Sequence, residues 1–158
     1  QCEQGVAWIK EHMPEVQSLR DVTPEMLRAY VQPKDALVYK RCTYVLEENL
    51  RLQAACDDLK KGDVEALGQK MFRTHEGLSR EYEVSCSELD WLVQYVRHEK
   101  AVLGARMMGG GFGGCSINLV KEEMIDALVE RISEQYRKAT GLTLDAYVVE
   151  IANGTSAV

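Results

Sequence analysis

The stretch Met107-Met108-Gly109-Gly110-Gly111-Phe112-Gly113-Gly114-Cys115 holds five of the twelve glycines in the chain. Glycine reaches positive φ values without steric cost, and its bare Cα lets another group approach the backbone closely. Successive backbone N–H groups in such a turn can point outward together. Ordering five glycines costs conformational entropy, so the stretch predicts a loop that lies against a phosphate, a sugar or a second backbone. A flexible hairpin connection is the alternative.

Strand-like segments flank this loop. Val102 to Met108 precede it, and Cys115 to Val120 follow it with alternating apolar and polar residues. Downstream, Lys121-Glu122-Glu123 opens a helix that Gly141 ends, and Ala146 to Ile151 has the pattern of a closing strand. The order of helices followed by β-β-α-β predicts an α+β fold. Its sheet is expected to be small and mostly antiparallel, with helices covering one face.

The residues before the hairpin predict a series of helices. Thr23 as N-cap and Pro24 at the first helical position begin a short helix to about Val31. A long amphipathic helix follows, Gly62 ends it and Asp63 caps the next one, so these two helices are expected to run antiparallel. The predicted inward positions are Val38, Cys42, Val45, Leu52, Cys56 and Leu59 in the first, and Val64, Leu67, Met71, His75, Leu78 and Tyr82 in the second.

A further helix is predicted just before the hairpin. Leu89, with the apolar residues that follow it at helical spacing, forms its core face. Two overlapping cap patterns precede it, Ser85 with Glu88 and Ser87 with Asp90, and either could satisfy free amides at the helix start.

The composition is that of one soluble globular domain. The chain has 158 residues, of which 46% are hydrophobic and 28% charged, enough to bury a sizeable core. A net charge of −6 argues against a nucleic-acid or membrane surface. The sequence contains no apolar stretch of the roughly 18 residues that a membrane span needs. We therefore expect a cytoplasmic protein with no nucleic-acid and no membrane partner.

Five cysteines lack the paired spacing of a disulfide framework or a zinc site, so we expect reduced thiols and no metal site. Cys42 and Cys56 fall on apolar helical faces, where a buried thiol behaves as a small hydrophobe. Cys115 lies beside the glycine loop but has no neighbouring base, so a buried strand thiol is the favoured interpretation.

The first residues indicate that the natural chain continues upstream. Apolar residues stand at helical spacing from the beginning, at Cys2, Val6, Ile9 and Met13. No Ser, Thr, Asp or Asn precedes them as an N-cap. We expect this chain to be the C-terminal piece of a longer protein.

Known phosphate-binding and catalytic patterns do not account for the loop. Gly109, Gly111 and Gly114 match GxGxxG literally, but the dinucleotide fingerprint requires a helix directly afterwards, and here a strand follows. The Walker A pattern fails because no Lys-Ser or Lys-Thr follows the last glycine. His75 is the only histidine on an apolar stripe, where a satisfied structural residue is commoner than a catalyst. No general base stands out.

Ala105 to Cys115 resembles the third signature motif of the GHMP sugar and metabolite kinases, in the form found in galactokinases. Tyr82 to Asp90 resembles the galactokinase stretch before that motif, and Arg41 and His75 stand in similar helical contexts. Cys2 to Val6 is similar to the start of the segment that follows a substrate-side tyrosine. The resemblance therefore runs along nearly the whole chain.

The resemblance implies that residues 1–158 are a GHMP kinase C-terminal domain with a ferredoxin-like α+β fold. Galactokinases transfer the γ-phosphoryl group of Mg-ATP to the anomeric hydroxyl of galactose. In that family the sugar, the nucleotide and the catalytic residues belong mainly to an N-terminal domain, which nothing in this chain matches. The implied partner is that N-terminal kinase domain, with ATP and magnesium bound there, and no catalytic residue is expected within these 158 residues. Alone, the chain is expected to be inactive.

The resemblance also implies the roles of particular residues. Gly109, Gly110, Gly111, Phe112, Gly113 and Gly114 are expected to lie beside substrate and nucleotide, closing the cleft with backbone, and Phe112 is expected to anchor the loop in a pocket. Met108, Ser85 and His75 are candidate cleft neighbours. Met108 stands where galactokinases usually have Thr or Ser, and Ser87 stands where they usually have Pro.

Two alternatives remain open on the sequence. A related sugar kinase of the same family, such as an N-acetylgalactosamine kinase, would share these motifs, because the sugar pocket lies upstream. A stand-alone α+β module that binds a metabolite or mediates dimerisation would use the glycine hairpin differently.

Overall fold

Helices and one β-hairpin form the regular structure of residues 1–150, which are the residues that the computed structural model describes. The chain divides into two compact units, Gln1–Lys121 and Glu122–Val158. The elements, in chain order, are α1 (Cys2–Lys10), a 3-10 turn (Leu19–Asp21), α2 (Pro24–Met26), a π turn (Leu27–Val31), α3 (Ala36–Lys61), α4 (Val64–Arg80), α5 (Ser87–Val96), β1 (Val102–Met108), β2 (Cys115–Val120), a 3-10 turn (Glu122–Met124) and α6 (Ile125–Thr140).

Side-chain caps set the starts of three helices. The Thr23 side chain accepts from the Met26 N–H at 3.4 Å, and Asp63 accepts from the Ala66 N–H at 2.9 Å, as the sequence predicts. Asp35 begins α3 by accepting two N–H groups, at 2.7 and 2.9 Å. Gly62 ends that helix with φ of 72°, the left-handed conformation that suits glycine. The α3–α4 connection is therefore short, as predicted.

The core of the first helices gathers around the start of α3. Its buried residues come from α1, the turns that follow it and the first three turns of α3, and they are Ile9, Val16, Val22, Leu27, Val31, Val38, Cys42 and Leu46. The prediction that Cys42 is buried is thus confirmed, with the thiol fully covered. This packing fixes the N-terminal half of α3 in place.

The C-terminal half of α3 is exposed, which corrects the predicted inward stripe. Leu52 and Leu59 are 63% and 57% exposed, and Cys56 is an exposed free thiol. Sequence periodicity identifies an apolar face, but it does not say whether another element covers that face. The prediction that Cys56 is buried is therefore wrong, whereas the predictions that Val38 and Cys42 are buried are confirmed.

The hairpin packs against α4 and α5. Strands β1 and β2 pair antiparallel with Met108 opposite Cys115, as predicted. Gly68 of α4 and Gly104 of β1 meet backbone to backbone: a Cβ on either residue would overlap main-chain atoms of the other element. This contact lets the helix lie directly on the strand, and Ala105 and Met107 of β1 are buried. An α+β arrangement with helices on one face of the hairpin results.

The start of α5 differs from both predicted caps. Cys86 is the N-cap residue, with extended backbone and no side-chain cap hydrogen bond, and its carbonyl accepts from the Asp90 N–H at 3.0 Å. Ser87 is already inside the helix, and its hydroxyl donates to the Glu88 carboxylate at 3.0 Å. The Asp90 side chain is engaged by Ser79 of α4, so the capping-box partner of Ser87 is not available.

The second unit contains α6, of which Leu128, Ile132 and Tyr136 are buried, and Gly141 ends it with φ of 76°. The predicted closing strand is wrong over residues 146–150, which have no regular secondary structure. Ile151, its last position, lies outside the described residues. A strand requires a hydrogen-bonding neighbour, and within residues 1–150 the only pairing is between β1 and β2. An alternating pattern alone does not provide that neighbour.

Candidate functional site

The glycine loop, residues 109–114, joins β1 to β2 through a run of left-handed backbone. Gly109, Gly111, Gly113 and Gly114 have φ of 88°, 94°, 139° and 96°. Such values are strained for residues with a Cβ, so the glycines are what allow this path. Phe112 takes φ of 60° among them and is one of two non-glycine residues with positive φ in the described chain.

One backbone contact anchors the loop to the turn before α5. The Phe112 N–H donates to the Val84 carbonyl oxygen at 2.7 Å. Gly111 lies directly against the same carbonyl, and a Cβ built on Gly111 would overlap its oxygen. The loop is therefore a docked element, and it lies against a second backbone, which is one of the options that its sequence suggested.

The rest of the loop presents bare backbone to open space. A Cβ on Gly109, Gly110, Gly113 or Gly114 would meet no atom within 4 Å. The Phe112 side chain is 76% exposed, so the expectation that it anchors the loop in a pocket is wrong. Its backbone N–H is the anchor, through the hydrogen bond to Val84, and the ring is exposed.

The turn that receives the loop, Glu81 to Val84, is held by an arginine of α3. The Arg41 guanidinium, only 10% exposed, donates to the Glu81 carbonyl oxygen and to the Glu83 carboxylate. Lys40 adds a second cation 3.3 Å from Glu83. These two cations, Arg41 above all, hold the pKa of Glu83 below its ordinary value. Glu83 has φ of 58°, the other positive value outside glycine.

His75 ties α4 to the end of β1. Its Nδ1 accepts from the Met107 N–H at 3.1 Å, and its Nε2 lies 3.2 Å from Asp90 Oδ1. The Ser79 hydroxyl donates to the other Asp90 oxygen at 2.7 Å. With Nδ1 as the acceptor, the neutral ring carries its proton on Nε2, facing Asp90. His75 therefore makes structural contacts that position the residue just before Met108.

Burial controls the titration of this histidine. The ring is 5% exposed, and loss of solvation lowers the pKa of His75 below 6.5. Asp90 acts in the opposite direction, and Arg97 lowers the pKa slightly further. The ring is consequently neutral at pH 7.

The remaining candidate residues surround the loop in different environments. Met108 is 47% exposed at the end of β1. The Ser85 hydroxyl is buried and has no hydrogen-bond partner within the described residues. Cys115 is exposed, so the prediction of a buried strand thiol is wrong. It pairs with Met108, which is also exposed, at the loop end of the hairpin, beyond the buried part of β1.

Sequence reasoning misses the turn Glu81 to Val84 and the Arg41 side chain that holds it. Arg41 stands out in the sequence only for its helical context, and Glu83 and Val84 are not singled out. A local signal for Arg41 exists, because it interrupts the buried face of α3 directly before Cys42. No local signal identifies Val84, whose carbonyl acts through a contact with a residue far along the chain.

Neither a metal cluster nor a membrane helix occurs within the part of the chain that the structure describes. Residues 1–150 hold no group of three or more His, Cys, Asp or Glu side chains that could bind a metal ion. No helix in that range combines the length and the hydropathy that crossing a bilayer requires.

A sequence model of the family described as GHMP kinases C terminal matches residues 55–138, which is more than half of the chain. The chain belongs to this family. The match extends from the second half of α3 to the end of α6 and includes the turn and the glycine loop. Membership in the GHMP kinase C-terminal family confirms the resemblance drawn from Ala105 to Cys115.

Relatives of the GHMP kinase C-terminal domain align along nearly the whole chain. The galactokinase of Thermotoga maritima is 41% identical over 144 residues, covering 91% of this chain and 40% of that protein. The galactokinase of Fusobacterium nucleatum is 32% identical over 160 residues, covering 99% of this chain and 41% of that protein. The crystal structure of Lactococcus lactis galactokinase complexed with galactose superposes with a TM-score of 0.79 at 30% identity, covering 89% of this chain and 37% of the other. The chain thus spans about 40% of the length of these curated relatives.

Proposed function

We propose that this chain is the C-terminal, cleft-closing domain of a galactokinase. The complete enzyme transfers the γ-phosphoryl group of ATP to the anomeric hydroxyl of galactose and releases galactose 1-phosphate. The similarity to galactokinases along 91% to 99% of the chain supports the substrate class. The observation that carries the site is the glycine loop, which is docked at Val84 and open at four other glycines.

The proposed role of the loop follows from this combination. Phosphoryl transfer depends mainly on positioning of the reactants and on electrostatic stabilisation of the transferred group. Gly109, Gly110, Gly113 and Gly114 leave room for a substrate or a second domain to approach the main chain. Backbone without side chains at these four glycines lets phosphate and sugar come close and excludes water from the contact. The docking at Val84 keeps this part of the loop in one position.

ATP and magnesium belong to the complete enzyme in this proposal. Within residues 1–150 no cluster of acidic or histidine side chains fits a magnesium ion. The open backbone of the loop does fit the neighbourhood of a phosphate chain, because backbone N–H groups in left-handed turns are suited to anions. We therefore assign the metal and most nucleotide contacts to an N-terminal kinase domain, with the glycine loop adjacent to them.

Met108, Ser85 and His75 are proposed as neighbours of the cleft with unequal roles. Met108 is exposed at the base of the loop and can contact a substrate or the partner domain. The Ser85 hydroxyl follows Val84 and has no hydrogen-bond partner among the described residues. His75 acts from behind, through its bond to the Met107 N–H. None of the three is proposed to take part in bond making or breaking.

A phosphorylation assay of the complete protein tests this function. Galactose and N-acetylgalactosamine are each supplied with magnesium and ATP, and the sugar phosphates are separated and quantified. We expect galactose 1-phosphate as the main product. We also propose that the complete enzyme acts in the cytoplasm. A product from N-acetylgalactosamine alone would make the protein the related sugar kinase, and no transfer to either sugar would overturn the proposal.

A further inference from the structure

Two residues with left-handed backbone lie at the hydrogen bond that anchors the glycine loop, one beside its acceptor and one as its donor. Glu83, with φ of 58°, directly precedes the acceptor Val84, and Phe112, with φ of 60°, is the donor. A left-handed backbone costs roughly 1 kcal/mol or more for a residue with a Cβ. Such conformations persist only where surrounding contacts determine them, and they concentrate at functional sites. The turn therefore requires something that holds it.

The contacts of Val84 fix its peptide groups on both sides. The Val84 N–H donates to the Leu78 carbonyl at 2.9 Å, and its own carbonyl accepts from Phe112 at 2.7 Å. The Tyr82 N–H donates to Gly77 at 2.8 Å, so the turn continues directly from the end of α4. These hydrogen bonds hold both ends of the turn, and the left-handed residue Glu83 lies between them.

Arg41 adds a side-chain constraint to these backbone hydrogen bonds. Its guanidinium reaches the turn at two points, the Glu81 carbonyl and the Glu83 carboxylate, which lie on either side of Tyr82. The fork of N–H donors on arginine can hold two acceptors in a fixed geometry, which a lysine cannot do. Arg41 itself projects from the half of α3 that is packed into the core next to Cys42. The Arg41 side chain therefore extends from a part of α3 that the core holds in place.

We propose that Arg41 and Glu83 are positioning residues for the glycine loop. The ion pair holds Glu83 left-handed, this orientation aims the Val84 carbonyl at Phe112, and the hydrogen bond fixes the loop between β1 and β2. Among the described residues, no hydrogen bond or ion pair joins either side chain to the glycine loop, so their effect is transmitted through the backbone. The structural step stands on this chain alone. Its effect on catalysis rests on the proposed kinase function.

Amide hydrogen exchange at Phe112 tests the structural step without any need for activity. In the complete protein, Glu83→Gln keeps the shape of the side chain and removes its charge, and Arg41→Gln removes the guanidinium. We expect each substitution to speed exchange of the Phe112 amide about tenfold, because the loop leaves Val84 more often. Arg41→Lys, which keeps the charge without the fork, is expected to fall between wild type and Arg41→Gln.

A matched control lies on the same helix. The side chain of Arg51 in α3 is 12% exposed, similar to that of Arg41, and it pairs with Glu47 and Glu48. Among the described residues, Arg51 makes no ion pair with residues 81–84. Arg51→Gln is expected to leave exchange at Phe112 unchanged. The proposal is overturned if Glu83→Gln, at a carboxylate that is 50% exposed and not needed for the core, leaves Phe112 as protected as in Arg51→Gln.

Steady-state kinetics then separate the two proposals. If the protein is a galactokinase, a loosened loop is expected to lower kcat more than it raises KM, since the loop orients groups that react. Faster exchange at Phe112 with unchanged kcat would show that the ion pair between Arg41 and Glu83 does not contribute to catalysis. Absence of any kinase activity in wild type would refute the proposed function and leave the exchange result for Arg41 and Glu83 intact.

Discussion

Substitution of Gly111 by alanine separates the two reasons why a glycine occupies that position. Its φ of 94° is strained for any residue with a Cβ, and the Cβ would overlap the Val84 carbonyl oxygen. Gly109 has a similar φ of 88° but open space around it. Gly110 has neither a left-handed φ nor a close neighbour. These three positions form a graded series within one loop.

The expected magnitudes follow from these contacts. Gly110→Ala is expected to leave the free energy of unfolding unchanged or to raise it by up to about 1 kcal/mol, through a less flexible unfolded chain. Gly109→Ala should lower it by roughly 1 to 2 kcal/mol of backbone strain. Gly111→Ala adds loss of the Phe112 hydrogen bond, for a total of about 2 to 3 kcal/mol.

Urea unfolding of the three variants, followed by tryptophan fluorescence and circular dichroism, measures these differences. The cost at Gly111 cannot exceed the free energy with which the loop is docked, because the loop can detach and relieve the overlap. Exchange of the Phe112 amide should therefore accelerate in Gly111→Ala and not in Gly110→Ala. Equal stability losses at Gly109 and Gly111, with Phe112 still protected in both, would refute the reasoning from the Val84 contact.

Three further predictions concern the interior. Loss of solvation lowers the pKa of His75 below 6.5, so the unfolded state takes up a proton first and the free energy of unfolding falls as pH drops through 6.5. His75→Asn should lessen this fall between pH 7.5 and 5.5, measured by urea unfolding. An unchanged pH dependence of the free energy of unfolding would contradict the burial argument. Leu128→Ala should cost about 2 to 5 kcal/mol because Leu128 is 5% exposed, whereas Leu142→Ala, at 50% exposed, should cost little; equal unfolding midpoints would exclude this difference. Gly104→Ala should lower the melting temperature by several degrees, since its Cβ would overlap the backbone of Gly68, and a normal melting temperature would show that the helix can move aside.

The hairpin could be predicted from sequence because its signals are local. The alternating residues on both sides and the glycines between them define β1 and β2, and the structure has the same bounds. The end of α3 and the start of α4 follow from equally local chemistry at Gly62 and Asp63. Such features depend on backbone conformations that few residue types adopt.

The predictions from sequence fail where a local pattern depends on contacts with another element of the fold. Cys56 lies on an apolar stripe, but no described element covers it, and residues 146–150 alternate like a strand without a neighbouring strand. Ser85 and Ser87 have capping chemistry, but tertiary contacts of Asp90 with α4 decide which residue begins α5. Periodicity identifies the apolar face of an element, but it does not identify which element packs against that face.

The candidate site could be predicted in part for the same reason. The glycine loop is identifiable because glycines are visible in the sequence. Its anchor is not, because the contact between Phe112 and Val84 joins residues 28 positions apart, and Arg41 acts from a third element. Only the folded chain brings these groups together.

The most direct test of the central claim is the rate of galactose 1-phosphate formation by the proposed N-terminal kinase domain, measured with and without this chain. The account predicts product only when both are present, and less product when the added chain carries Gly111→Ala. A folded N-terminal domain that phosphorylates galactose equally well without this chain, or a gene that encodes no such domain, would contradict it.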